Sequence, residues 1–360
     1  VPLAQGIATL EHGIRPQRGL PQARTAPKEH VLTADTSARE TLPARTTPWW
    51  LWAHVLSLEA PLVAVLWQHA LAHAHGLRLT PMLDAGLALA CWVIYVIDRT
   101  LDTFSAGNAE LGLRHVFYRR HRQVLLLGVI PAASLLVAWM ALWVIPEGVL
   151  WQVSGLGLLV AIYLASWAAQ GSRVWRDLLI SCAGLGGVLL ISRMPASPGF
   201  RFTLSLLVLG VMVLSFLRQL DIRLGHLLPK EMTAALLFAL GVTTSTRFLG
   251  MPETLLDPVL ECGLLGLLFA CNLHGISARE KDDATGHAGL VMFALCFTLA
   301  LLWMIELGTL EHALLGPARA ALGGLLLHAL VQRVGKRVSA EAHRVLSDLA
   351  LIVPLPLAWL

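Results

Sequence analysis

Trp92-Val93-Ile94-Tyr95-Val96-Ile97-Asp98-Arg99-Thr100-Leu101-Asp102 is the stretch on which the reading of the fold turns. An apolar run long enough to cross a bilayer stops at Asp98, and Asp102 follows four residues later. Helical positions i and i+4 share a face, so the two carboxylates point the same way. Carboxylates at a membrane boundary are costly to keep without a partner. The pair is therefore a candidate ligand set for a divalent metal, and the metal a candidate anchor for a phosphorylated substrate.

The composition around this stretch belongs to a membrane protein. Of the 360 residues, 56% are hydrophobic and only 14% charged, against about 25% charged in a soluble domain. Mean hydropathy is +0.67. Repeated apolar runs joined by short charged loops predict an all-α, polytopic transmembrane bundle of about 9–11 spans. The alternation of a β-barrel is missing, as is any compact basic and aromatic module for nucleic acid. The five cysteines, Cys91, Cys182, Cys262, Cys271 and Cys296, lie in or beside apolar runs without metal or disulfide spacing and read as small buried hydrophobes.

Two regions divide the chain. Residues 1–48 are rich in Pro, Ala, Arg and Thr without apolar periodicity, and read as a disordered tail. Residues 49–360 read as the transmembrane domain. Its spans fall at about 50–72, 81–97, 123–145, 148–169, 176–192, 202–217, 232–250, 258–275, 288–310, 317–333 and 345–360. With the N-terminus inside, twenty-two of the 27 Lys and Arg lie on the inner side and five on the outer. That bias is the positive-inside pattern. It predicts a multi-pass protein of a bacterial inner membrane with its C-terminus outside.

The same count brings a second acidic stretch to the inner face. Asn272-Leu-His-Gly-Ile-Ser-Ala-Arg279-Glu280-Lys281-Asp282-Asp283 follows a span of the same direction as the one ending at Asp98. Asp98, Asp102, Glu280 and Asp282 are thus the candidate metal ligands and catalytic carboxylates. Arg99, Arg114, Arg173, Arg176 and Lys230 are basic residues of the same face. Such a set suits ionisation of an allylic diphosphate: magnesium takes hard oxygen ligands, and basic residues neutralise the leaving group. Apolar helices would screen the carbocation from water.

Here the sequence resembles the UbiA superfamily of intramembrane prenyltransferases. The family's first motif reads Asn-Asp-x-x-Asp-x-x-x-Asp. The chain has Ile94-Tyr95-Val96-Ile97-Asp98-Arg99-Thr100-Leu101-Asp102, which matches the second and third aspartates and the Arg. The second motif, Asp-x-x-x-Asp, aligns on Gly286-His287 to Ala278 and Asp282, with Glu280 between. Leu58-Glu59-Ala60-Pro61-Leu62 is similar to the family's first span. The resemblance implies Mg2+, a polyprenyl diphosphate substrate, and an acceptor, or cyclisation of the prenyl chain itself. It also implies that Arg99 or Arg114, and one of Arg173, Arg176 and Lys230, hold the diphosphate. Ile94-Tyr95 and Ala278 depart from the motifs and remove ligands. That departure is why a non-catalytic lipid- or isoprenoid-binding membrane protein of the same fold is the competing reading. A transporter is a third, without inverted repeats or broken helix pairs to support it.

Three lesser readings complete the set. His69 and His73 stand at i,i+4 with His75 nearby, a spacing that suits a metal or an interfacial polar cluster. Glu59, inside the expected first span, faces the bundle interior, either lining the cavity or acting on an acceptor, or as a neutral, hydrogen-bonded structural residue. Tyr95 is either packing or a hydroxyl one turn from Asp98.

Overall fold

The computed structural model describes residues 48–105, 113–167, 173–193, 201–202, 205–206, 208–213, 229–250, 256–281 and 286–360. The expected tail lies outside these residues apart from Pro48. Residues 47–360 form one compact unit. All of its described regular structure is helical.

Twelve helices are labelled in chain order: α1 Trp52–Val55, α2 Glu59–Ala74, α3 Pro81–Ser105, α4 Leu113–Arg120, α5 Arg122–Trp143, α6 Glu147–Trp167, α7 Arg173–Arg193, α8 Lys230–Gly250, α9 Leu256–Lys281, α10 His287–Glu306, α11 Leu315–Val334 and α12 Ala340–Ile352. Among the described residues seven helices are long and apolar enough to cross a membrane, in α3, α5, α6 and α8 to α11. A bent pair at the start makes an eighth. The chain is accordingly an integral multi-pass membrane protein by its helices. The broad apolar faces of α5 and α10, with Leu127, Trp139, Trp143, Phe293 and Trp303 exposed, are what lipid contact requires.

Four expected spans differ from this picture; one of them, 176–192, falls in α7, which is not among the seven. The first, 50–72, is broken: α1 and α2 meet at 77°. Ser57 supplies the corner with φ of 56°, in the left-handed region that costs a non-glycine residue about 1 kcal/mol. Its hydroxyl is 3.1 Å from that of Tyr118 in α4. Glu59 consequently opens α2 instead of sitting within a long helix, and an acid is favoured at such an N-terminus.

The last span, 345–360, is not one continuous helix. α12 has 13 residues, about 20 Å of rise against a hydrocarbon core of about 30 Å. Pro354 and Pro356 end it, and a 3-10 turn, Leu355–Trp359, follows. The two pieces together run back along α11. They carry the chain from Arg344, beside Glu280, to Trp359, beside His73. Glycines on α11 let them approach. A Cβ on Gly316 would run into the Ala358 carbonyl oxygen, and one on Gly323 would lie 2.8 Å from Pro354. The expected 202–217 span falls largely outside the described residues.

α2 and α9 form the centre. α2 packs on α3, α8, α11 and α12, and α9 packs on α8, α10, α11 and α12. Trp67, Leu71, Leu265, Leu268 and Phe269 fill the space between, and Trp67 meets Phe269 edge to face at 6.3 Å. The Trp67 indole N–H donates to the Leu351 carbonyl at 3.0 Å, which fixes α12 against α2.

Candidate functional site

α3 keeps one face open along nearly its whole length. Leu83, Leu87, Ile94, Asp98 and Asp102 on that face line a cavity of about 460 Å³. Nineteen residues of helix separate its first and last members, about 28 Å. α1, α2, α4, α5, α6, α8, α9 and α12 supply the other walls. Along most of its length the lining is apolar, from Val63, Met140, Val153, Leu156, Phe238 and Leu351 among others. The charged residues gather at one end, because three helices place their polar termini there: the C-terminal turn of α3, the N-terminus of α8 and the C-terminal turn of α9.

The charges at that end are mostly paired. Lys230 Nζ stands 3.1 Å from Asp98 Oδ1 and 3.2 Å from Asp102 Oδ1. Arg99 donates to the other Asp102 oxygen at 3.3 Å. Arg344 reaches Glu280 at 2.6 Å and Glu341 at 2.8 Å. Ser277 donates to Glu231 at 2.8 Å. Asp98 and Asp102 do share a face, and together they already bracket one cation. A pair of hard carboxylate oxygens in that arrangement suits Mg2+ as well as an ammonium.

Arg114 is the exception. It is buried, lines the cavity, and forms no ion pair among the described residues. Burial first, then the nearby Arg99 and Arg344, pull its pKa below the ordinary guanidinium value. Burial and the same arginines also hold His115 below the usual imidazole range. α4 thus presents cationic character to the cavity that no carboxylate fully answers. An incoming anion would relieve it.

The sequence-derived candidates divide in three. Asp98, Asp102, Glu280, Arg99, Arg114 and Lys230 all line this one cavity. Asp282 and Asp283 lie outside the described residues. Arg173 opens α7, and its side chain is likewise outside them. Tyr95 lines the cavity and packs edge to face on Phe238 at 6.3 Å.

His69, His73 and His75 do not converge on a common ion. His69 pairs with Asp84 at 2.9 Å, His75 with Glu261 at 3.0 Å, and His73 packs on Trp359. Hydrogen bonding to Glu261 raises the pKa of His75. Cys91, Cys262 and Cys271 are buried as expected; Cys296 is exposed.

Sequence reasoning missed four residues that complete the polar end: His54, Asn272, Arg344 and Asp348. His54 precedes the break at Ser57. Asn272 was counted only as the start of the second acidic stretch. Arg344 closes the inner loop before the expected 345–360 span and Asp348 lies four residues on, within it. That spacing was their signal, since two charges on one face of a short helix mark an interior surface.

Comparison with protein-family models, with curated proteins and with solved structures gave no match.

Proposed function

We propose that the cavity binds a polyprenyl diphosphate, head at the Asp98–Arg114 end and chain along α3, and that the protein is a divergent UbiA-like intramembrane prenyltransferase. The observation that carries this reading is the cavity's polarity: a long apolar slot closed at one end by Asp98, Asp102, Lys230 and Arg114, the last without an ion pair among the described residues. An amphiphile with a compact anionic head matches it in shape and charge. The resemblance of the Asp98–Asp102 stretch to the family's first motif supports the same substrate class.

Asp98 and Asp102 would hold Mg2+, with Glu280 and Asp282 as further candidate oxygen ligands; the ion supplies charge neutralisation for the leaving diphosphate. Arg114 and Lys230 hold the phosphate oxygens, and Arg99 orients Asp102. The apolar walls exclude water from the allylic carbon, so the prenyl group passes to an acceptor or closes on itself. The excess of Lys and Arg on the inner side of the expected topology supports the reading that this end faces the cytoplasm, as at a bacterial inner membrane.

One observation favours the non-catalytic alternative. Lys230 occupies the point between the carboxylates, where it competes with a metal. Incubation of the purified protein with farnesyl or geranylgeranyl diphosphate, with and without Mg2+, separates the two. Catalysis predicts Mg2+-dependent pyrophosphate release that falls at least about a hundredfold in Asp98→Asn. Binding of the diphosphate without release, across chain lengths and acceptors, would assign the alternative.

A further inference from the structure

The cavity has a second polar cluster, on α12 and on either side of the α1–α2 corner. One ligand atom each from His54, Glu59 and Asp348 lies within 4.8 Å of the others. His54 Nδ1 is 2.6 Å from Glu59 Oε1. All three residues line the cavity. We infer that His54, Glu59 and Asp348 form a binding site for a transition-series divalent cation of the Zn2+, Mn2+ or Fe2+ class, distinct from the Asp98–Asp102 pair.

Several independent observations point to a ligand here. His54 is 5% exposed; its Nδ1 faces Glu59, and its Nε2, on the other side of the ring, is buried without a partner among the described residues. Asn272 is 4% exposed, and while its amide N–H donates to Asp348 at 3.1 Å, its Oδ1 is buried and unpartnered. Unanswered buried polar atoms are costly, about 1–3 kcal/mol each. Two carboxylates this close also repel. Arg344 on α12 is already engaged by Glu280 and Glu341, and Arg114 on α4 acts on both carboxylates without forming an ion pair with either among the described residues. A divalent ion would answer the repulsion.

The donor set indicates which ion. Two carboxylate oxygens alone would accept Mg2+ or Ca2+, but an imidazole nitrogen selects the borderline transition ions. The surroundings are those of a supported ligand set. The Asn272 amide orients Asp348, and the Trp67–Leu351 hydrogen bond holds α12 against α2. The inference does not require that the cavity take a diphosphate. An ion at this point would polarise an oxygen-bearing group on any molecule in the slot.

The test uses the full-length protein in detergent, stripped with chelator and titrated with Co2+ and Zn2+ alone. The expected result is one tight equivalent per chain, with visible Co2+ bands, weakened at least tenfold in His54→Ala and Asp348→Asn and unchanged in Asp98→Asn. Equal loss in Asp98→Asn would move the ion to the other pair and overturn the assignment, as would full binding by His54→Ala. Should the variants not fold, X-ray absorption of the Zn2+-loaded wild type decides: an imidazole in the coordination shell is expected, and a shell of oxygen alone contradicts the site.

Discussion

Lys230 puts one ammonium between two carboxylates, so its removal separates charge balance from metal affinity. Lys230→Met is expected to tighten Mn2+ binding at Asp98 and Asp102 by about tenfold or more, because a competing cation is gone. An electron paramagnetic resonance titration reads this directly; unchanged affinity would mean that the pair takes no metal. Arg114 acts in the opposite sense, as a buried cation that forms no ion pair among the described residues. Asp98, Asp102 and their shared face were legible because i,i+4 spacing depends on local geometry alone. Lys230 was legible only as one of several basic residues opening a span. Arg344, Asp348 and His54 were not legible as site residues, since they meet through contacts such as Trp67 to Leu351, 284 residues apart.

Among the elements, the run that closes the chain is the most informative. Its hydropathy reads as a span, but two prolines stop the helix, and glycines on α11 decide where the remainder lies. Gly316→Ala should therefore lower the thermal midpoint by roughly 2–6 °C, through a backbone clash at Ala358. Gly289→Ala, whose added methyl would meet open space, should leave it unchanged. Equal effects in a detergent melt would remove the close-approach argument. The α1–α2 corner was hidden for a related reason. Nothing in an apolar run announces a left-handed Ser57; a tertiary contact with Tyr118 accompanies it.

His75 ties the turn after α2 to α9 through Glu261. Its pKa is raised in the folded protein, so the pair's stabilisation is complete below the unfolded imidazole value, about 6.5, and fades as pH rises through the folded value. His75→Gln should cost more thermal stability at pH 6 than at pH 8.5; a cost independent of pH would contradict the ion pair.

At the scale of the whole molecule, composition was enough for an all-helical membrane protein, because about ten apolar runs admit no other fold class. The span count was less legible, since hydropathy cannot distinguish a continuous crossing from a bent or proline-broken one. The cavity was inferred from two charged loops on one face, and its length and apolar walls come from packing among nine helices. The central claim is that this slot recognises a chain and an anionic head together. Calorimetric titration with farnesyl diphosphate, farnesol and inorganic pyrophosphate, in wild type and Arg114→Gln, tests it most directly. The account predicts that farnesyl diphosphate binds at least tenfold tighter than either fragment. Arg114→Gln should weaken it by about 10- to 100-fold while leaving farnesol unaffected. Equal affinity for farnesol and its diphosphate, or no effect of Arg114→Gln, would contradict it.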